Sequence, residues 1–269
     1  MVLPDHLAGS EIERIPAPDP REFFRNYVRR RRPVILTGLT ANWASGEAWT
    51  FAALAERYPN TRVVAAALSG NTLREDPRAG VIFEYVALAD FVARAAAGAA
   101  KHYVMAPLWN LPQDLSREYR IPPYCEGKPY VRSKLWLGCS GTVTPLHWDV
   151  PHNLQVHLAG RKRWLLFAPS QSRALYPRGL LSGMPNFAQV DPEMPEPDRF
   201  PRFRQVSCLH AVVGPGDALF IPRGWWHHTR LLDDVVTMNF WWGGYGVALL
   251  AAGSALFKKL RGIRRYEWG

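Results

Sequence analysis

The chain is short of cysteine, of acidic side chains and of long apolar runs, and each shortage argues against a class of protein. Its three cysteines, Cys125, Cys139 and Cys208, are odd in number and form no CxxC pair. That argues against a disulfide scaffold and for a reduced, cytoplasmic setting. A bilayer-spanning helix needs ~20 apolar residues, and the longest apolar run, 247–257, falls far short of that. The opening MVLPDHLAGSEIERI has neither the basic start nor the apolar core of a secretory signal. The expectation is a soluble protein with no transmembrane segment. Acidic residues number 23 against 33 Lys and Arg, a net charge of +10. Two readings of that excess stand: Arg residues solvating the surface, or acidic partners such as nucleic acid, an acidic peptide or a membrane surface. There is no internal repeat.

What is present suits one large domain. The chain has 269 residues, 48% of them hydrophobic, with 11 Trp and 23 Pro, a balance that favours a β-rich fold with many turns. Residues 1–32 read as an irregular lead-in to about 20 followed by a helix over 20–31. Asp19-Pro20 opens that helix, and Arg29–Arg32 complement its C-terminal dipole. Strands are predicted at 33–36, 62–68, 81–85 and 102–105, and helices at 50–58 and 87–97. From about 131 the texture becomes short apolar runs broken by Gly, Pro, Asn and Asp. Strands are predicted there at 134–139, 144–149, 153–158, 163–167, 211–213, 218–221, 227–231 and 235–241, with a Pro-rich insertion at 173–204. That number of strands fills a double-stranded β-helix, or jelly roll. The expected organisation is therefore a lead-in and helix at 1–32, a domain at 33–242 with its jelly-roll core from about 131, and a basic helix at 243–269. In that last helix YGVALLAAGSALFKKL could dock on the core, form a homodimer interface or lie on a membrane surface, with Lys258, Lys259, Arg261, Arg264 and Arg265 at its end.

The chemistry concentrates in GTVTPLHWDVPHNLQVHLAGRK, residues 141–162. His147 and Asp149 are two apart on a predicted strand and so share a face. One imidazole and one carboxylate there match two ligands of the two-His, one-carboxylate set that holds non-haem Fe(II) with coordination positions left open. The third ligand is sought in GDALFIPRGWWHHT, at His227 or His228. These two point to opposite faces, and the pattern alone does not choose between them. His6, His102, His152 and His210 have no comparable context. His157 shares a polar strand face with Asn153 and Gln155, opposite the apolar Leu154, Val156 and Leu158, and either lines a pocket or packs. Lys162 beside the apolar Trp164-Leu165-Leu166-Phe167 either snorkels outward or anchors an anion, such as the far carboxylate of a dicarboxylate. Thr144 could add a hydroxyl donor.

Taken together, TPLHWDVPHNLQVHLAGRKRWLLFAPS, GDALFIPRGWWHHT, VTMNFWW and the early PVILTGL…NW…W resemble the JmjC-type 2-oxoglutarate oxygenases. The likeness, over about 33–242, is to the small hydroxylase-type members typified by the asparaginyl hydroxylase that inhibits hypoxia-inducible factor. The resemblance implies a jelly-roll core holding Fe(II) through His147, Asp149 and His227. It implies that Lys162, Thr144 and Tyr103 contact the distal carboxylate of 2-oxoglutarate, that Asn153 and Asn239 lie on the cosubstrate side, and that Trp241 belongs to the substrate-side wall. The implied reaction uses O2 to hydroxylate a side chain of a peptide or protein, releasing succinate and CO2. Alternatives are a small metabolite or RNA base as substrate, demethylation of lysine or arginine, or a non-oxidative metal-binding cupin, an isomerase or lyase with no need of Lys162.

Overall fold

Side chains that alternate between two environments, bounded by Gly, Pro and Asp, favour strands in the second half of the chain. The computed structural model describes residues 6–43, 46–76, 80–179 and 182–260. The first part contains β1 (Ala8–Glu11), β2 (Arg14–Pro16), α1 (Pro20–Phe23), β3 (Val34–Thr37), α2 (Phe51–Arg57) and β4 (Arg62–Ser69). It continues through β5 (Thr72–Leu73), β6 (Glu75–Asp76), β7 (Gly80–Val81), β8 (Phe83–Ala87), α3 (Leu88–Ala96) and β9 (His102–Pro107). The second contains β10 (Tyr130–Gly138), β11 (Val143–Trp148), β12 (His152–Ala159), β13 (Lys162–Phe167), β14 (Ser207–Val213), β15 (Asp217–Ile221), β16 (Trp226–Leu231), β17 (Val235–Gly243) and α4 (Tyr245–Leu260).

The last eight strands divide between two sheets. The smaller runs β14-β13-β16-β11, with β1 parallel to β14 at one edge and β5 beside β11 at the other. The larger runs β10-β17-β12-β15, extended by β9, β4 and β8 on one side and by β3 and β2 on the other. The chain changes sheet at nearly every turn between β10 and β17, which is the winding of a jelly roll. The fold is mainly β, with helices set around the barrel.

Both faces of the larger sheet are covered, and the two coverings differ in chemistry. Leu154, Val156 and Leu158 of β12 and Val236, Met238, Phe240 and Trp242 of β17 face outward, into a core shared with Phe23, Leu54, Leu88 and Phe91 from the helices. The alternate residues Asn153, Gln155, Thr237 and Asn239 face into the barrel and are buried there too. Leu165 and Phe167 of the smaller sheet pack outward on Leu175, Val190, Phe200 and Phe203, so the Pro-rich insertion is the lid of that sheet. Between the sheets, Ile35, Leu219 and Ile221 meet Trp164, Leu166 and Val213 and close one end of the barrel.

Two expectations are corrected. Residues 8–16 are not irregular: they form β1 and β2, edge strands paired with β14 and β3. All four residues of β1 are exposed, so no alternation marked the strand. The helix over 20–31 is α-helical only through Phe23 and then widens into a π-type turn over Phe24–Val28. The wider turn lets Tyr27 and the adjacent Val28 both be buried with Phe23, whose ring lies 4.2 Å from that of Tyr124. The tail helix is present as α4. Arg261, Arg264 and Arg265 fall outside the described residues. No described helix is long and apolar enough to cross a membrane.

Candidate metal centre and anion pocket

His147 and His227 lie directly opposite one another on β11 and β16, their rings 4.1 Å apart. The pairing shifts between Thr144 and His147, a bulge around Pro145, and proline, lacking an N–H, is tolerated in a strand at such a place. Asp149 follows the end of β11, and its Oδ2 is 3.8 Å from His227 Nε2. One ligand atom from each of the three residues lies within 4.8 Å of the others.

The tautomers follow from the backbone. His147 Nδ1 is 2.8 Å from the Pro145 carbonyl and His227 Nδ1 is 3.1 Å from that of Trp225. A carbonyl only accepts, so each Nδ1 carries the proton and each Nε2 presents its lone pair to the cluster. Burial, then the neighbouring His147, pushes the His227 pKa down to about 4, which keeps it in the neutral form that binds metals. Asp149 Oδ2 accepts from Trp241 Nε1 at 2.9 Å and Asn153 Nδ2 at 3.3 Å. Two imidazoles and one oriented carboxylate make a donor set that fits a divalent iron.

Lys162 starts β13 and is 1% exposed. The turn before it needs Gly160, whose φ is +67° and where a Cβ would stand 2.1 Å from the Asp234 carbonyl oxygen. The Lys162 ammonium donates to Tyr103 Oη at 3.0 Å, Gln155 Oε1 at 3.1 Å and Thr237 Oγ1 at 3.2 Å. All three acceptors are neutral. Burial lowers the Lys162 pKa to about 7 and raises that of Tyr103, which also interacts with Thr144. A buried amine with only neutral partners is in its least favourable setting for carrying charge, and an added carboxylate would favour the ammonium.

A run of side chains joins the two features. Lys162 bonds Gln155, Gln155 donates to Asn239, Asn239 donates to Asn153 at 2.8 Å, and Asn153 donates to Asp149. Of the sequence candidates, His147, Asp149, His227, Asn153, Asn239, Lys162, Tyr103 and Trp241 are thus within one connected network, with Thr144 beside Tyr103. His157 is fully buried on the same inner face, 6.3 Å from the Trp164 ring, and neither ring nitrogen has a partner among the described residues. His228 points the other way, under the insertion.

There His228 approaches Asp191 and Glu193, another grouping of potential ligands. Glu193 is held by both Arg163 and Arg230, so two guanidiniums already balance the two carboxylates and leave no negative charge to hold a cation. Two neighbours of the site escaped the sequence reading. Thr237 was legible from its alternation with Asn239 and Trp241. Phe187, stacked 4.8 Å from His147, comes from the irregular insertion, where no periodicity marks it.

Residues 20–244 match the model of the cupin-like domain family. Lysine-specific demethylase 8 of Xenopus tropicalis is 29% identical over 249 residues, covering 90% of this chain and 55% of that protein. Jumonji C domain-containing protein 5 of Drosophila melanogaster is also 29% identical, over 251 residues, covering 87% of this chain and 60% of that protein. HSPB1-associated protein 1 of Homo sapiens is 37% identical over 118 residues, 43% of this chain and 24% of that protein. The chain thus spans only about half to three-fifths of the first two relatives.

Proposed function

Because the chain belongs to the cupin-like domain family, we propose that it is an Fe(II)- and 2-oxoglutarate-dependent dioxygenase that hydroxylates an amino-acid side chain of a peptide or protein. The observation that carries this reading is one barrel containing both the His147–Asp149–His227 cluster and the buried Lys162 amine, joined by hydrogen-bonded side chains. A metal-binding isomerase or lyase on the same fold needs the cluster but no buried ammonium beyond it.

In this reading His147, Asp149 and His227 would hold the iron, which would supply open coordination positions for the reactants. Lys162, with Tyr103 and Thr144, receives the distal carboxylate of 2-oxoglutarate. Asn153 and Asn239 hold Asp149 and Gln155 in register along the cosubstrate. Trp241 braces Asp149 and walls the substrate side, and His157 closes the barrel floor. Iron and 2-oxoglutarate, once bound, supply the oxidising power, so that R–H, O2 and 2-oxoglutarate give R–OH, succinate and CO2. The protein contributes orientation and an anion anchor.

Three similar proteins are named as lysine-specific demethylases. Hydroxylation of an N-methyl group gives a hemiaminal that releases formaldehyde, so the product separates the two outcomes. The test supplies Fe(II), 2-oxoglutarate and O2 with a tryptic peptide pool, then with RNA and metabolite pools. Peptides heavier by one oxygen, with equimolar succinate, support the proposal. Formaldehyde with loss of a methylene mass replaces hydroxylase by demethylase, and a product confined to the RNA or metabolite pool replaces the substrate class. No consumption of 2-oxoglutarate in any pool removes the oxygenase. A cytoplasmic setting and a homodimer through α4, which exposes Tyr245, Leu249 and Leu250, belong to the same proposal and are read by cell fractionation and by sedimentation.

A further inference from the structure

Three buried carboxamides lie between the Lys162 amine and the metal cluster, and the strands set their order. Gln155 and Asn239 stand directly opposite one another on β12 and β17. Asn153 precedes Gln155 by two residues and so shares its inward face. All three are only 2–3% exposed. A carboxamide has an accepting end and a donating end, and either can be turned towards a neighbour. Here the groups at the two ends of the row decide.

Lys162 donates to Gln155 Oε1 at 3.1 Å, and an ammonium can do nothing else. With its oxygen committed, Gln155 has its NH2 to offer, and Nε2 donates to Asn239 Oδ1. Asn239 Nδ2 then donates to Asn153 Oδ1 at 2.8 Å, and Asn153 Nδ2 to Asp149 Oδ2 at 3.3 Å. An ionised carboxylate only accepts. A donor-only group at one end and an acceptor-only group at the other thus leave each amide a single orientation, and all three point the same way. Turning one of them over sets oxygen against oxygen at one neighbour and N–H against N–H at the other. Buried polar groups tolerate that poorly, because no water replaces the lost bonds.

Resting on the proposed iron site, we infer that Gln155 is a positioning residue for the metal. Acting through Asn239 and Asn153, it keeps an N–H, and not a carbonyl oxygen, against the Asp149 carboxylate. A residue that only filled the barrel could be replaced by leucine with no change at Asp149. A member of an oriented row cannot, although two side chains separate it from the ligand.

The test uses the whole chain under argon and without 2-oxoglutarate, so that anion binding at Lys162 does not enter. Fe(II) affinity is read by equilibrium dialysis, Co(II) is titrated in parallel for its visible ligand-field bands, and melting curves check folding. Gln155→Leu, which breaks the row without adding charge, should weaken both metals by about tenfold, the low end of what an outer partner of a ligand is worth. Gln155→Glu should weaken them too and alter the Co(II) bands. A glutamate there, ionised beside the Lys162 amine, accepts from Lys162 and from Asn239. Asn239 and then Asn153 turn over, and Asp149 meets a carbonyl oxygen. Charge alone predicts the opposite, since an added carboxylate attracts a divalent cation. Metal bound as tightly by Gln155→Leu as by the wild type, or more tightly by Gln155→Glu, overturns the inference. If neither variant folds, the wild type decides by NMR. Diamagnetic Zn(II) should shift the carboxamide N–H signals of Asn153, Asn239 and Gln155 together, and a shift confined to Asn153 overturns the inference. A wild type that binds none of the three metals sinks the iron site and this inference with it, whereas tight binding that ignores Gln155 sinks this inference alone.

Discussion

A lysine amine that is almost completely buried among neutral oxygens is held away from its usual ionisation. With its pKa lowered to about 7 by burial, Lys162 must take up a proton to meet a carboxylate at higher pH. The sign follows: below about pH 7 the ammonium is already formed, and as pH rises above it each unit removes up to about a factor of ten from the apparent affinity for 2-oxoglutarate. A KM for 2-oxoglutarate that climbs between neutral and alkaline pH, with iron affinity followed separately by dialysis, is the expected result. Lys162→Ala should weaken 2-oxoglutarate by about 2–5 kcal/mol, measured as KM, while iron still binds. The paired histidines make a sharper contrast. His227→Ala should abolish iron binding, whereas His228→Leu should leave it intact, because His228 lies on the outward face with no hydrogen-bond partner among the described residues. If iron is lost from the His228 variant and kept by the other, the cluster is wrongly drawn.

At the level of elements, one carboxylate adds an ionic tie to the backbone bonds and apolar packing that hold the insertion on the barrel. Glu193 reaches down to Arg163 and Arg230, which face each other across β13 and β16. Glu193→Ala would leave two like charges abreast and half-buried, at a cost of about 3–5 kcal/mol, read in a denaturant titration. Because the same insertion carries Phe187 onto His147, turnover should fall along with stability. A variant as stable as the parent would mean that the apolar packing of Val190, Phe200 and Phe203 and the backbone bonds of Asn186 and Ala188 to β11 hold the lid without it. This segment also marks a limit of sequence reading. β12 was legible because its alternation is strict and both faces are spoken for, whereas the insertion is placed by contacts distant in sequence. β1 and β2 were hidden for a related reason: their register comes from β14 and β3.

For the whole molecule, the polar face of β12 lies inside the barrel, between sheets whose outer faces are buried by helices on one side and by the insertion on the other. What the residues alone left undecided was which of His227 and His228 joins His147; the resemblance named His227, and the β11–β16 register brings it there. A metal bound only by the folded barrel should raise thermal stability by about 2.7 kcal/mol at a hundredfold excess over its Kd. That increment should vanish in Asp149→Ala, which melting curves with and without Fe(II) under argon would reveal.

The most direct measurement of the central claim is an anaerobic titration of the iron-loaded protein with 2-oxoglutarate, followed by visible absorption and by equilibrium dialysis. A shared centre requires a weak charge-transfer band that grows in with saturable 2-oxoglutarate binding, is absent in His147→Ala, and needs far more 2-oxoglutarate in Lys162→Ala. Iron that binds tightly while 2-oxoglutarate neither binds nor changes the spectrum would contradict it, and would leave a metal-binding barrel whose buried lysine serves some other anion.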